Sequence, residues 1–184
     1  MDQVEENRRQ NPYTYENEID NYKQDHFQLH WNEKINNHWS FNLGLNYTDG
    51  RGYFEQYKED DDINTYGGIV KSDIDSNGQE TGTTDLIRRR WLDNDFYVLN
   101  SSINYIKDKI DLTLSSSYSS YVGDHYGEVI WARSLSNIGE IRDRYYEGLG
   151  EKKDLSFFAK LLYSINKKTE PVSYTHLTLP TNLC

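Results

Sequence analysis

The chain has 184 residues, enough for one domain, and its mean hydropathy of −0.92 leaves no apolar run of the roughly 20 residues that a transmembrane helix needs. Its 20 basic and 30 acidic residues give a net charge of −10, which argues against a nucleic-acid-binding surface. The single cysteine, Cys184, is the last residue and cannot close a disulfide within the chain.

Alternation of apolar and polar residues predicts the first two strands, at residues 26–32 and 39–57. Successive side chains of a strand point to opposite sides, so strict alternation indicates one apolar and one polar face. In the second strand the apolar residues share one parity: Trp39, Phe41, Leu43, Leu45 and Tyr47. The polar connection through Asn36 and Asn37 predicts an antiparallel hairpin.

Three further strands are predicted at residues 91–105, 110–121 and 155–166, each pairing with its neighbour in the chain. A tight turn at residues 107–109 joins the first two of them. The last is less regular, because Phe158 and Leu162 interrupt its polar side.

The connections alternate in length, since short turns are followed by links of about thirty residues at 58–88 and 121–154, well beyond ordinary hairpin length. Outer-membrane barrels have short periplasmic turns, long extracellular loops and girdles of aromatic residues. Trp31, Trp39 and Tyr105 lie near the short-turn ends of their strands, as one girdle would require. The predicted fold is all-β: a fragment of an antiparallel transmembrane β-barrel, with about five strands where the smallest closed barrels have about eight.

The alternative fold is a soluble β-sandwich, whose strands also have one apolar and one polar face. The unequal connections, the small polar residues of the second face and the aromatic strand ends favour the barrel.

Four stretches between about Asn11 and Lys168 resemble the barrel of TonB-dependent outer-membrane receptors. They are NPYTYENEIDNYKQDHFQLHWNE, HWSFNLGLNYTDGRGYFEQYKEDD, DHYGEVIWAR and IRDRYYEGLGEKKDLSFFAKLLYSIN. The resemblance implies a parent barrel of about 22 strands with a plugged lumen, in the outer membrane of a Gram-negative cell. It implies as partners outer-membrane lipid, a small solute and, through a plug that has no counterpart here, the TonB protein. No cofactor is implied.

The resemblance assigns residues 1–170 to a partial barrel and implies uptake of a ferric chelate, a cobalamin-like cofactor or an oligosaccharide. The alternative is a soluble, surface-exposed β-sheet module that binds carbohydrate. Met1 is followed by acidic residues instead of a secretory signal, so we expect the natural N-terminus to lie upstream. Residues 171–184, PVSYTHLTLPTNLC, resemble a translated sequencing junction, so we expect a non-native tail in which no further strand develops. The alternative is a natural turn that leads into a strand through Tyr174, Leu177 and Leu179.

The sequence contains no recognisable catalytic arrangement, so the chain is not expected to be an enzyme. His26 and His30 lie about 13 Å apart on one strand face at ~3.3 Å per residue, too far to share a metal ion. Asp73, Asp75 and Asn77 match the first half of a calcium loop, but Thr84 stands where a bidentate Glu is needed.

Aromatic and arginine residues in the long links and at the strand ends beside them are the candidate solute-binding residues, because they suit sugars, ring-bearing ligands or anions. Plain loop packing and pairing of the arginines with acidic residues are the alternatives. The candidates are Tyr53, Tyr57, Arg88, Trp91, Trp131 and Arg133.

Overall fold

The computed structural model describes residues 15–166 and 169–183, which form one six-stranded antiparallel sheet with the strands in chain order. The sheet is open, with β1 and β6 at its edges, and is not closed into a barrel. Its strands are β1 Asp20–Lys34, β2 Trp39–Asp62, β3 Thr83–Lys107, β4 Ile110–Ala132, β5 Arg144–Tyr163 and β6 Val172–Leu183. One short 3-10 helix, η1, spans Ile63–Tyr66.

The five predicted strands and their pairing in chain order are confirmed, but most of the predicted bounds are too short. The strands continue where both faces carry charged or polar residues, so apolar alternation could not mark them. The two predicted thirty-residue links are therefore wrong: the connections are residues 63–82 and 133–143.

The short connections are tight, as predicted. Asn36 closes the β1–β2 turn, where its side-chain oxygen accepts hydrogen bonds from the backbone amides of His38 (2.8 Å) and Trp39 (3.0 Å). Two residues, Asp108 and Lys109, separate β3 from β4, and Asp108 has a φ of 52°, in the left-handed region that Asp tolerates in turns.

The expectation that no strand develops after Pro171 is wrong. β6 pairs antiparallel with β5 from Leu162 opposite Val172 to Glu151 opposite Leu183. Pro180, which lacks an amide hydrogen, is tolerated because β6 is an edge strand. Whether residues 171–184 are native stays a prediction.

The chain divides into two compact units, to which β2–β5 all contribute. The loop unit comprises residues 15–22, 52–92 and 125–148, and the hairpin unit comprises residues 23–51, 93–124, 149–166 and 169–183.

The loop unit has a small apolar core, formed where the link 63–82 packs against the sheet. Tyr66, Ile69 and Val70 of that link are buried against Leu86 of β3 and Val129 of β4. The link 133–143 joins the same core through Leu135, which forms a β-bridge with Val70. Both links are therefore packed parts of the fold.

Candidate functional site

One face of the hairpin unit is apolar and largely exposed. Phe27, Leu29 and Trp31 of β1 have 62%, 58% and 53% of their surface exposed, and Leu99 and Phe157 are exposed as well. A shallow depression in this face, of about 400 Å³, is lined mainly by aliphatic and aromatic side chains from β1–β4. The predicted parity of apolar residues is confirmed.

Two aromatic pairs between β2 and β3 lie on this face at two positions along the strands, which we call the two aromatic levels. Trp39 lies against Tyr105 at the short-turn end, with 4.6 Å between ring centroids. Tyr47 stacks on Tyr97 at 4.8 Å. Eight residues separate the two levels on both β2 and β3, which corresponds to about 26 Å of strand at ~3.3 Å per residue. Between the levels, the residues of β2 on this face are aliphatic or aromatic.

The opposite face of the hairpin unit is polar and carries cross-strand hydrogen bonds between neutral side chains. Gln28 Nε2 donates to Asn46 Oδ1 at 3.1 Å, and Asn42 Nδ2 donates to Ser102 Oγ at 3.1 Å. His26 Nδ1 lies 2.8 Å from Thr48 Oγ1. The hydrogen-bonding groups of β1–β3 on this face are amides, hydroxyls and imidazoles, and Asp111 of β4 and Lys160 of β5 share the face by parity.

A groove of about 440 Å³ runs across this polar face, with walls from all of β1–β5. His30 and Asn32 contribute from β1, and Asn100 from β3. Its lining contains no Asp, Glu, Lys or Arg.

Gly44 of β2 and Phe158 of β5 shape the groove. A Cβ at Gly44 would lie 3.8 Å from His30 Nδ1 and 4.0 Å from Asn100 Cβ, which is ordinary contact. Gly44 also has no left-handed φ, so neither the backbone nor crowding requires glycine there. Its effect is to leave space in the groove. Phe158, which interrupts the polar side of its strand in the sequence, places an aromatic ring in the lining.

The loop unit, by contrast, is organised by charges around Arg133. Its guanidinium pairs with Asp73 at 3.1 Å and, more closely, with Asp85. Asp73 also accepts hydrogen bonds from Thr84 Oγ1 (3.0 Å) and Ser134 Oγ (2.8 Å). The cluster ties the link 63–82 to β3 and to the start of the link 133–143.

Asp85 is the buried carboxylate of this cluster, with 4% of its surface exposed. Burial alone would raise the pKa of its carboxyl. Hydrogen bonds from the Asp60 amide and the Tyr57 hydroxyl, together with the charge of Arg133, outweigh burial and hold that pKa below its ordinary value. The same bond to Asp85 raises the pKa of the Tyr57 hydroxyl.

A second network surrounds Arg88, which donates to Gln56 Oε1 (2.9 Å) and to the Tyr66 hydroxyl (3.1 Å). Tyr66 in turn donates to Asp61 at 2.7 Å. Burial is the main reason that the pKa of Tyr66 is raised. Arg89 forms a separate 2.7 Å ion pair with the buried Glu55.

The predicted solute-binding residues lie in the loop unit and bind mostly to one another or to other protein groups. Tyr57 and Arg133 meet at Asp85, whereas Arg88 is held by Tyr66 and Gln56. The other three candidates, Tyr53, Trp91 and Trp131, lie outside these two networks. The Tyr53 ring lies tilted against Trp91 with 4.7 Å between centroids, Trp91 Nε1 donates to Glu128, and Trp131 is 45% exposed.

The three calcium candidates do not converge on one point. Asp73 is engaged by Arg133, and Asp75 accepts hydrogen bonds from the amides of Asn77 and Gln79, both at 2.8 Å, within a tight turn. These turn hydrogen bonds lower the pKa of Asp75. Within residues 15–166 and 169–183, no three His, Cys, Asp or Glu side chains group as metal ligands would.

The sequence analysis did not identify the groove. Its residues were assigned only to the polar second face of the strands, and Phe158 only to an irregularity of the fifth strand. The signal was present: residues two apart on each strand share a face. An aromatic residue and an interior glycine on a polar face mark a shaped surface.

No protein-family model, curated protein or solved structure matches the chain. No helix in the described part of the chain has the length and apolar character that crossing a membrane requires.

Proposed function

We propose that this chain is part of the wall of a Gram-negative outer-membrane β-barrel, and that the intact barrel is a TonB-dependent receptor for uptake of a scarce solute. The observation that carries the proposal is the exposed apolar face bounded by two aromatic levels. Their separation is about 26 Å along the strand, which at the tilt of ~35–45° in outer-membrane barrels corresponds to roughly 20 Å of height and fits within an apolar band about 25 Å tall.

Energetics support a lipid environment for this face. The hairpin unit leaves Phe27, Leu29, Trp31, Leu99 and Phe157 each between 39% and 62% exposed. A contiguous surface of this kind favours association or contact with lipid, because soluble monomers seldom expose more than a few hundred Å² of it. The opposite face carries polar groups, as the wet interior of a barrel does.

Topology supports the same proposal. Strands that pair in chain order are the arrangement of an outer-membrane barrel, whereas a sandwich needs a second packed sheet. An open wall of six strands encloses no lumen, so solute uptake would belong to the closed barrel, and coupling to TonB would require a plug.

The test uses the full chain refolded into phospholipid vesicles whose acyl chains carry bromine, a contact quencher of tryptophan. Four single-tryptophan chains retain Trp31, Trp39, Trp91 or Trp131. We expect strong quenching of Trp31 and Trp39, which lie at the apolar face, and weak quenching of Trp91 and Trp131 in the loop unit. A water-soluble monomer, or equal quenching at all four positions, would contradict the membrane assignment.

One observation favours the second candidate function, a soluble carbohydrate-binding module. The groove that runs across β1–β5 is lined by side-chain amides, hydroxyls and the aromatic ring of Phe158, and such groups commonly bind sugars. In that case the chain would be monomeric in water and would bind sugar without lipid.

A further inference from the structure

We infer that the groove on the polar face of the hairpin unit binds a neutral oligosaccharide, and that the solute of the proposed receptor belongs to this class. This inference rests on the proposed function for its role in uptake, while the binding itself rests on the groove.

The first argument is the absence of charge. The groove is lined without Asp, Glu, Lys or Arg, although such residues make up 27% of the chain. A charged solute such as a ferric chelate would lose hydration there without gaining a counter-charge, which is costly. A neutral solute avoids that cost.

The second argument is hydrogen-bonding capacity that the protein itself leaves unused. The side chains of Asn32, Asn100, Ser115 and Ser117 line the groove. None of the four makes a hydrogen bond to any residue in the described ranges. Each amide offers two donors and an acceptor, and each hydroxyl offers both, so the set matches vicinal hydroxyl groups of a sugar.

The third argument is shape. Gly44 leaves open space although its backbone would accept a side chain, and a glycine in a strand interior often marks close approach of a ligand. Phe158 supplies a flat apolar surface on which the C–H face of a sugar ring can pack. The volume of about 440 Å³ lies within the usual range of small-molecule sites, about 300–1,000 Å³.

The experiment is calorimetric titration of the full chain in micelles of a polyoxyethylene detergent, which has no sugar headgroup to compete. The probes are neutral hexasaccharides of α-1,4-glucose, β-1,4-glucose, β-1,4-xylose and β-1,4-mannose, with α-1,4-galacturonate as the charged counterpart. We expect at least one neutral sugar to bind and the galacturonate to bind far more weakly.

Two variants and one matched control locate the binding. Phe158→Ala should weaken binding about tenfold by removing the aromatic surface, and Gly44→Val should abolish it by filling the groove. Phe157→Ala removes a neighbouring ring, on the apolar face and 45% exposed, and should leave affinity unchanged. Far-ultraviolet circular dichroism of each variant checks that the sheet is retained.

Two results overturn the inference: no neutral sugar binds the folded chain, or galacturonate binds as tightly as the best neutral sugar. Equal losses in Phe157→Ala and Phe158→Ala place binding elsewhere and overturn it too. Failure of the proposed function is a separate result, because it is measured by lipid quenching of Trp39. Sugar binding without quenching would support the soluble module, whereas quenching without sugar binding would leave the membrane assignment and reject the groove.

Discussion

The loop unit and the hairpin unit share strands β2–β5 but differ in where their apolar side chains lie. Of the described residues, every buried apolar side chain lies in the loop unit: Tyr66, Ile69, Val70, Leu86, Tyr126 and Val129. The hairpin unit instead presents large apolar residues on one face and a polar groove on the other. The loop unit therefore has an internal source of stability, whereas the hairpin unit leaves its large apolar side chains exposed.

The largest expected effect is a cavity in the loop-unit core. Leu86 is fully buried, so Leu86→Ala should cost about 2–5 kcal/mol. Leu99→Ala in the hairpin unit, 39% exposed, should cost within about 0.5 kcal/mol in micelles, because little packing is lost. Both costs are measured by urea unfolding of single-tryptophan chains, with the fluorescence of Trp91 reporting on the loop unit and that of Trp39 on the hairpin unit. Equal costs would contradict the contrast between the units.

The next effect concerns the two faces of the hairpin unit. In lipid vesicles, Leu45→Arg should cost roughly 2–4 kcal/mol if Leu45 meets the bilayer midplane. Asn46→Arg, one residue on and facing the polar side, should cost much less. The folded fraction is measured by resistance to protease. Similar losses for both variants would show that the apolar face does not meet lipid.

A smaller effect is expected at the charge cluster of the loop unit. Arg133→Met leaves Asp73 and Asp85 without their shared cation, so the contact between the two links should loosen. The amides of Lys71 and Ser136, which bond to the opposite link, should exchange with deuterium several-fold faster. Arg90→Met, outside this cluster, is the control. Unchanged exchange in Arg133→Met would mean that packing alone holds the links.

The smallest effect is on pH dependence. The pKa of Asp85 is lowered in the folded chain, so its contribution to stability is complete above the unfolded value of about 3.9 and is lost as pH falls through the folded value. The loop unit should therefore weaken below about pH 4, as Trp91 fluorescence in urea can report. The Asp85→Asn chain should show a flatter profile, and an identical profile would exclude Asp85 as the titrating group.

The sequence predicted the strands of the hairpin unit better than the structure of the loop unit. Alternation located the five strands, and it marked the hairpin unit best because that unit has one apolar face. It failed for the outer parts of β2, β3 and β5, which carry charges on both faces, and for the outer part of β4, where apolar residues fall on both faces. The packing of the links was missed because Tyr66 and Val70 contact Leu86 and Val129, which are distant from them in the sequence. The edge strand β6 was missed because a proline near its end argued against pairing.

Whether the predicted solute-binding residues contact a solute stays a prediction. They were chosen by residue type, and the structure shows Arg88, Arg133 and Tyr57 engaged by protein groups. The groove depends on the side-by-side placement of five strands, which sequence spacing does not give. Only its two unusual members, Gly44 and Phe158, were visible as exceptions along the chain.

The ion pair between Arg133 and Asp73 has a consequence for the order in which parts of the chain fold. Every strand pairs with its neighbour in the sequence, so the sheet can grow hairpin by hairpin with little cost in loop closure. Arg133 and Asp73, by contrast, are sixty residues apart, and all of β3 and β4 lies between them. We therefore expect this ion pair to form only after β3 and β4 have paired, so that its formation reports a complete β3–β4 hairpin.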